Sequence, residues 1–184
     1  MFDELMEIIK KDKDIWSPFE DYFVETSIPS KTILLKDGEI SSHIFYIKKG
    51  CLRQWFNNDG KDITLQFFFE KQAVASIDSF LNNKPSLFTI ESIEPSNIIC
   101  VSKDTFEKLN EIYPEFKGKL TEYLFQRFRN YAQLFLSRIK DSPKERYEDL
   151  VKNHPEIIKR VPQHYIASYL GITPISLSRI RNRK

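Results

Sequence analysis

The sequence predicts an α+β chain: an N-terminal antiparallel jelly roll with flanking helices over residues 1–113, one long helix over 114–141, and a C-terminal all-α helix-turn-helix unit over 142–184 without a full wing. Three observations carry this prediction. Short apolar runs separated by turn residues fill the segment from 28 to 101. A proline-free amphipathic stretch follows Pro114, and a Gly-Ile-Thr-Pro turn near the C-terminus divides two further apolar-periodic segments.

The elements follow in order. Phe2, Leu5, Met6, Ile8 and Ile9 recur at helical spacing, and a second short helix is expected after Ser17-Pro18. Strands are expected at 32–35, 43–47, 51–56, 63–69 and 97–101. Their separators, Lys36-Asp37-Gly38-Glu39, Lys49-Gly50 and Asn57-Asn58-Asp59-Gly60, supply glycine where a tight turn needs positive φ. Regular strand-turn spacing of this kind belongs to an antiparallel barrel or jelly roll. Residues 78–83 form a helical or loop excursion ended by Lys84-Pro85, and Ser102 caps a short helix reaching Tyr113.

Pro114 suits the first turn of the long helix, whose 28 positions would span roughly 42 Å. Phe116, Leu120, Tyr123, Leu124, Phe125, Phe128, Tyr131, Ala132, Leu134, Phe135, Leu136 and Ile139 cover an arc of about 220°, more than packing on one barrel requires. The surplus predicts a homodimer, with Leu120, Tyr123, Leu124, Tyr131, Leu134 and Phe135 facing a second copy. The alternative is a helix buried wholly within a monomer. Ser142-Pro143 then starts the C-terminal unit.

Charge is uneven. Residues 114–184 carry 15 Lys/Arg against 7 Asp/Glu, net +8, whereas residues 1–113 carry 13 against 19, net −6. From Ile157 onward there is no acidic residue, which makes a polyanion the natural partner of this end. No stretch approaches the roughly 20 apolar residues of a membrane span, and the opening segment is acidic and unlike a signal peptide, so a soluble cytoplasmic protein without a membrane partner is expected.

Residues 163–182 read as a helix-turn-helix. Ile166, Leu170, Leu177 and Ile180 take core-facing positions, Ala167 is small where the helices meet, Gly171 ends the first helix in the left-handed region, and Ile172 plugs the turn. Thr173 caps the second helix with Pro174 at its first position. An ordinary helical hairpin closing a domain is the bland alternative. In the DNA-binding reading the second helix enters the major groove, with Ser176, Arg179 and Ile175 as base readers. Arg179 is suited to a bidentate contact with guanine, and Ile175 either meets a thymine methyl or covers the domain core. Gln163, Thr173, Lys159, Arg160, Arg181, Arg183 and Lys184 are expected at phosphates, and His164 is a further backbone candidate.

The jelly roll, the long helix and the C-terminal Tyr-Leu-Gly-Ile-Thr…Leu-Ser-Arg-Ile together resemble the CRP/FNR family of bacterial transcription regulators. The resemblance implies a cyclic-nucleotide-binding-like roll, a dimerisation helix at 114–141 and a sequence-specific homodimer on a palindromic operator in double-stranded DNA. It also leaves room for RNA polymerase as a partner. Members that bind cyclic AMP carry Gly-Glu and then Arg-Ser or Arg-Thr in a phosphate cassette; here Ala75 and Ser76 stand for the first pair, Ser86 for the arginine, and Lys84 is the nearby cation. With Tyr131 these residues mark the expected ligand pocket. The departures imply a roll that does not answer to cyclic AMP, since one flexible lysine replaces a planar fork. The roll binds some other small molecule or none, and the sequence does not identify an effector. At the DNA end, Pro174 and Ile175 replace a glutamate and often an arginine, and the chain ends at Lys184, where relatives continue into a β-wing.

Cofactors and catalysis are not expected. Cys51 and Cys100 are too few for an iron–sulfur or thiolate metal site, and His43 alone does not make a metal-dependent barrel enzyme. Neither a Gly-Lys-Ser/Thr phosphate loop, a Gly-x-Ser-x-Gly elbow nor a His-Glu-x-x-His helix occurs. The competing reading is a small-molecule-binding receptor module whose basic tail engages a protein rather than DNA.

Overall fold

The computed structural model describes residues 22–113 and 115–182. The opening helices expected before residue 22 lie outside the described residues, as do Arg183 and Lys184. The strands are β1 (Glu25–Ile28), β2 (Ile33–Leu35), β3 (His43–Lys49), β4 (Leu52–Asn58), β5 (Lys61–Phe68), β6 (Ala73–Val74), β7 (Thr89–Ser92) and β8 (Ser96–Ser102). The helices are α1 (Ile77–Asn82), α2 (Lys103–Ile112), α3 (Glu115–Lys140), α4 (Pro143–Asn153), α5 (Pro155–Arg160), α6 (Gln163–Tyr169) and α7 (Pro174–Asn182).

The strands build the expected jelly roll from two four-stranded sheets, in the orders β1-β8-β3-β6 and β2-β7-β4-β5. The β1–β8, β3–β8, β3–β6 and β2–β7 pairings are antiparallel. Alternation along β3 and β8 divides their side chains between two cores. Phe45, Ile47 and Ile98 meet Leu52, Phe68 and Ile90 of the other sheet, whereas Tyr46, Ile99 and Val101 pack with Phe80 of α1 and with Phe106 and Leu109 of α2. The tight β3–β4 turn depends on Gly50: its φ is +110°, and a Cβ there would stand 2.1 Å from Ser96 Oγ.

Local signals set the helix starts. Ser102 Oγ accepts from the Thr105 amide at the start of α2. Ser142 and Glu145 make a reciprocal capping box at the start of α4, with Pro143 at the first helical position.

The chain divides into two compact units. One holds the described residues up to 54 together with 68–124, and the other holds 55–67 together with 125–182. This division differs from the expected boundaries at 113 and 141. The tip of the β4–β5 hairpin and the C-terminal part of α3 group with α4 to α7, and α3 is shared after Leu124.

Candidate nucleic-acid interface

The turn between α6 and α7 has the geometry its residues demand. Gly171 has φ +68°; its amide donates to Ser168 O at 3.0 Å and the Ile172 amide donates to Ala167 O at 3.0 Å, the paired bonds of a Schellman motif. Thr173 then accepts twice: its Oγ1 from the Ser176 amide at 3.1 Å and its carbonyl from the Leu177 amide at 3.0 Å. Ile166, Ala167, Leu170 and Leu177 are buried, which fixes α7 against α6.

With Leu177 turned inward, helical geometry sends the i, i+3, i+4, i+7 row from Ile175 outward. Ile175, Ser178, Arg179 and Asn182 are all exposed, Ile175 at 67%. Two of the three expected base readers therefore share this face. Ser176 does not: it is half-buried, and its hydroxyl lies 3.0 Å from Thr173 Oγ1 within the cap. Ser178 and Asn182 were missed by the sequence reading, although counting three and seven positions on from Ile175 finds them.

Around this helix, Gln163, Thr173, Arg181 and Lys159 are exposed and Arg160 is half-buried. The exposed His164 ring lies 4.0 Å from that of Tyr165. Arg146, on α4, ties the unit together by donating to Asp141 O at 2.6 Å and Leu170 O at 2.7 Å. Burial raises the Tyr169 hydroxyl above its ordinary pKa, against the opposing pull of the Arg138 charge.

Along α3 the expected dimer residues separate. Leu120 packs on the roll's outer core, and the Tyr123 hydroxyl donates to Ala73 O at 2.8 Å and accepts from the Ala73 amide at 3.1 Å, so both are occupied within their own unit. Leu134 is half-buried. Leu124, Tyr131 and Phe135 are exposed, and Phe125, Phe128, Leu136 and Ile139 join them, Phe128 and Ile139 at 69% each.

Residues 25–113 match the cyclic nucleotide-binding domain family. No curated protein matches the sequence significantly. Among solved structures, a double mutant of CooA from Carboxydothermus hydrogenoformans matches with a TM-score of 0.72 at 17% identity, over 97% of this chain and 82% of that one. The c-di-GMP responsive global regulator CLP of Xanthomonas campestris gives 0.71 at 13% identity, over 92% and 89%. A protein from Eubacterium rectale assigned to the CRP/FNR family of transcriptional regulators gives 0.70 at 17%, over 89% and 79%. This chain has the CRP/FNR fold.

The residues of the expected ligand pocket are distributed over both units. Ala75, Ser76 and Ser86 are buried, and the Ser86 hydroxyl donates to Phe88 O at 2.7 Å. Lys84 is turned to solvent, 3.7 Å from Asp78. Tyr131 belongs to the other unit, with the Arg127 guanidinium 5.1 Å from its ring centre. Among the described residues of the roll the buried cation is Arg53, which donates to Glu91 at 3.1 Å. The sequence reading missed this pair, which joins neighbouring strands far apart in the chain. Among the described residues, no three His, Cys, Asp or Glu side chains are grouped to hold a metal ion, and no helix is long and apolar enough to cross a membrane.

Proposed function

We propose that this protein is a homodimeric, sequence-specific DNA-binding transcription regulator of the CRP/FNR type whose roll does not respond to cyclic AMP. The observation that carries the reading is the outward row Ile175, Ser178, Arg179 and Asn182 on a helix whose start and inner face are both fixed. Arg179 reads guanine through its planar fork, Ser178 and Asn182 offer hydrogen bonds to neighbouring base edges, and Ile175 meets a thymine methyl. Ser176 serves through the Thr173 cap. Gln163, Thr173, Lys159, Arg160 and Arg181, with Arg183 and Lys184 beyond the described residues, hold the phosphates.

The dimer reading is supported by the spacing of Leu124, Phe128, Tyr131 and Phe135, which repeats four, three and four residues apart, the period of a two-helix seam. Two copies joined there imply two reading heads and a palindromic operator. The absence of arginine from residues 74–88, around Ser76 and Ser86, supports a roll that does not respond to cyclic AMP.

A salt titration of duplex binding tests the reading. About 6 to 10 phosphate contacts per dimer give a steep negative slope of log affinity against log salt. A flat response would favour the receptor module with a protein-binding tail.

A further inference from the structure

Resting on that reading, we infer that Ser168 is a positioning residue for DNA recognition: its hydroxyl latches the reading head onto the edge of the β4–β5 hairpin. In its sheet β5 is the last strand, so one row of its backbone groups points away from β4. Alternation puts Asp62 and Thr64 in the same row. Ser168, on α6, engages this row twice within one compact unit: its Oγ donates to Asp62 O at 2.6 Å and accepts from the Thr64 amide at 2.9 Å. A serine inside a helix ordinarily turns back on its own carbonyls and weakens the helix. This one spends both hydrogen-bonding capacities on a strand more than 100 positions earlier in the chain.

Neighbouring groups reinforce the contact. Arg138 of α3 donates from one nitrogen toward Thr64 O (3.4 Å), Leu65 O (3.3 Å) and Tyr169 O (3.4 Å), and its guanidinium lies 5.6 Å from the Tyr169 ring centre. The Tyr169 and Phe67 rings are 5.4 Å apart. The long Arg138 contacts are individually weak, whereas the two short Ser168 bonds have a defined direction. Since Leu170 and Leu177 lock α7 to α6, orienting α6 orients the exposed reading row as well. That row is exposed while the latch is made, so the latch is compatible with presenting it to a duplex.

Ser168→Ala removes both bonds at small steric cost, and Ser168→Thr keeps the hydroxyl. Hydrogen exchange on the full-length chain reads the contact directly: Ser168→Ala loses protection at the Thr64 amide, Ser168→Thr keeps it, and the paired amides of β3 and β8 stay protected in both. For DNA, duplexes selected from a random pool by the wild-type protein are remade with one base pair inserted or deleted at the centre. Ser168→Ala binds the parent duplex about 5- to 10-fold more weakly and discriminates less between spacings, while Ser168→Thr restores the discrimination. Unchanged Thr64 protection in Ser168→Ala overturns the latch. Lost protection with unchanged spacing preference, or with tighter binding, overturns its positioning role. If the wild-type protein selects no duplex, the DNA-binding reading itself fails, and the Thr64 exchange result still decides whether the contact exists.

Discussion

Arg146 on α4 donates to the carbonyl of Leu170 at the end of α6, joining residues 24 positions apart at 2.7 Å. The same guanidinium donates to Asp141 O, just past the long helix, so one side chain satisfies a carbonyl at each of two helix ends. Arg146→Ala removes two charge-assisted bonds from a half-buried site and is expected to cost the C-terminal unit about 2 kcal/mol. Denaturant unfolding, compared with that of wild type, checks this. Arg146→Lys should recover only part of the loss, because an ammonium is not a planar fork that reaches both carbonyls.

Arg179 and Arg181 are two residues apart on α7 and are expected to behave differently. Arg179 stands in the outward row with Ile175 and Ser178, so Arg179→Ala should lose about 1 to 3 kcal/mol of preference at one base position. Its loss on random DNA should be smaller. Arg181 lies outside that row, and Arg181→Ala, which removes one phosphate contact from each copy, should weaken all duplexes alike and lower the salt slope of the dimer by about two. Competition binding on a panel of single-base operator variants separates the two effects.

The parts of this fold that were legible in the sequence are those dictated by local chemistry. Gly171, Thr173 and Pro174 each have one conformational demand, and the turn they build has the expected hydrogen bonds. Ser102 and Ser142 cap their helices for the same reason. What escaped was non-local. Strand β7 (Thr-Ile-Glu-Ser) is buried throughout and shows no hydrophobic alternation, because its polar groups find partners elsewhere: Glu91 with Arg53, Ser92 with Pro29 and Thr32, Thr89 with Asp37. Leu120 and Tyr123 have the same helical period as the exposed seam, so periodicity alone assigns them to it. The hydrogen bonds of Tyr123 with Ala73, and the packing of Leu120 on the roll's outer core, place both on the roll.

The exposed apolar row of α3 bears on the proposed dimer. Phe128 and Phe135 are 69% and 64% exposed, and burying the remaining exposed area of such rings against a second copy is worth about 1 to 2 kcal/mol for each side chain. Replacing Phe135 with Glu puts a charge at the seam in each copy, and sedimentation equilibrium should show a shift from dimer to monomer. The same variant should lose affinity for a palindrome while binding a half-site as wild type does, since the reading row of α7 is untouched. Tyr123→Phe, by contrast, removes the bonds to Ala73 on the roll and should leave the proposed dimer intact.

Glu145 sets an acid limit on the α4 start. Its carboxyl pKa is held below the ordinary value of 4.5, first by the side-chain hydrogen bond from Ser142, then by the Ser142 backbone amide, with Lys140 adding to the pull. Because the folded state depresses this pKa, the native chain binds fewer protons than the unfolded chain as acid is added. The contribution is therefore complete above pH 4.5 and is lost as pH falls through the depressed folded value. Glu145→Gln keeps a capping-box acceptor without the titration, so its stability relative to wild type should rise as the pH drops below 4.5. Parallel chemical-denaturation curves from pH 6 down to 3 for the two proteins measure this difference, and parallel stability profiles would mean that Ser142 and Glu145 do not interact in solution as they do in the structure.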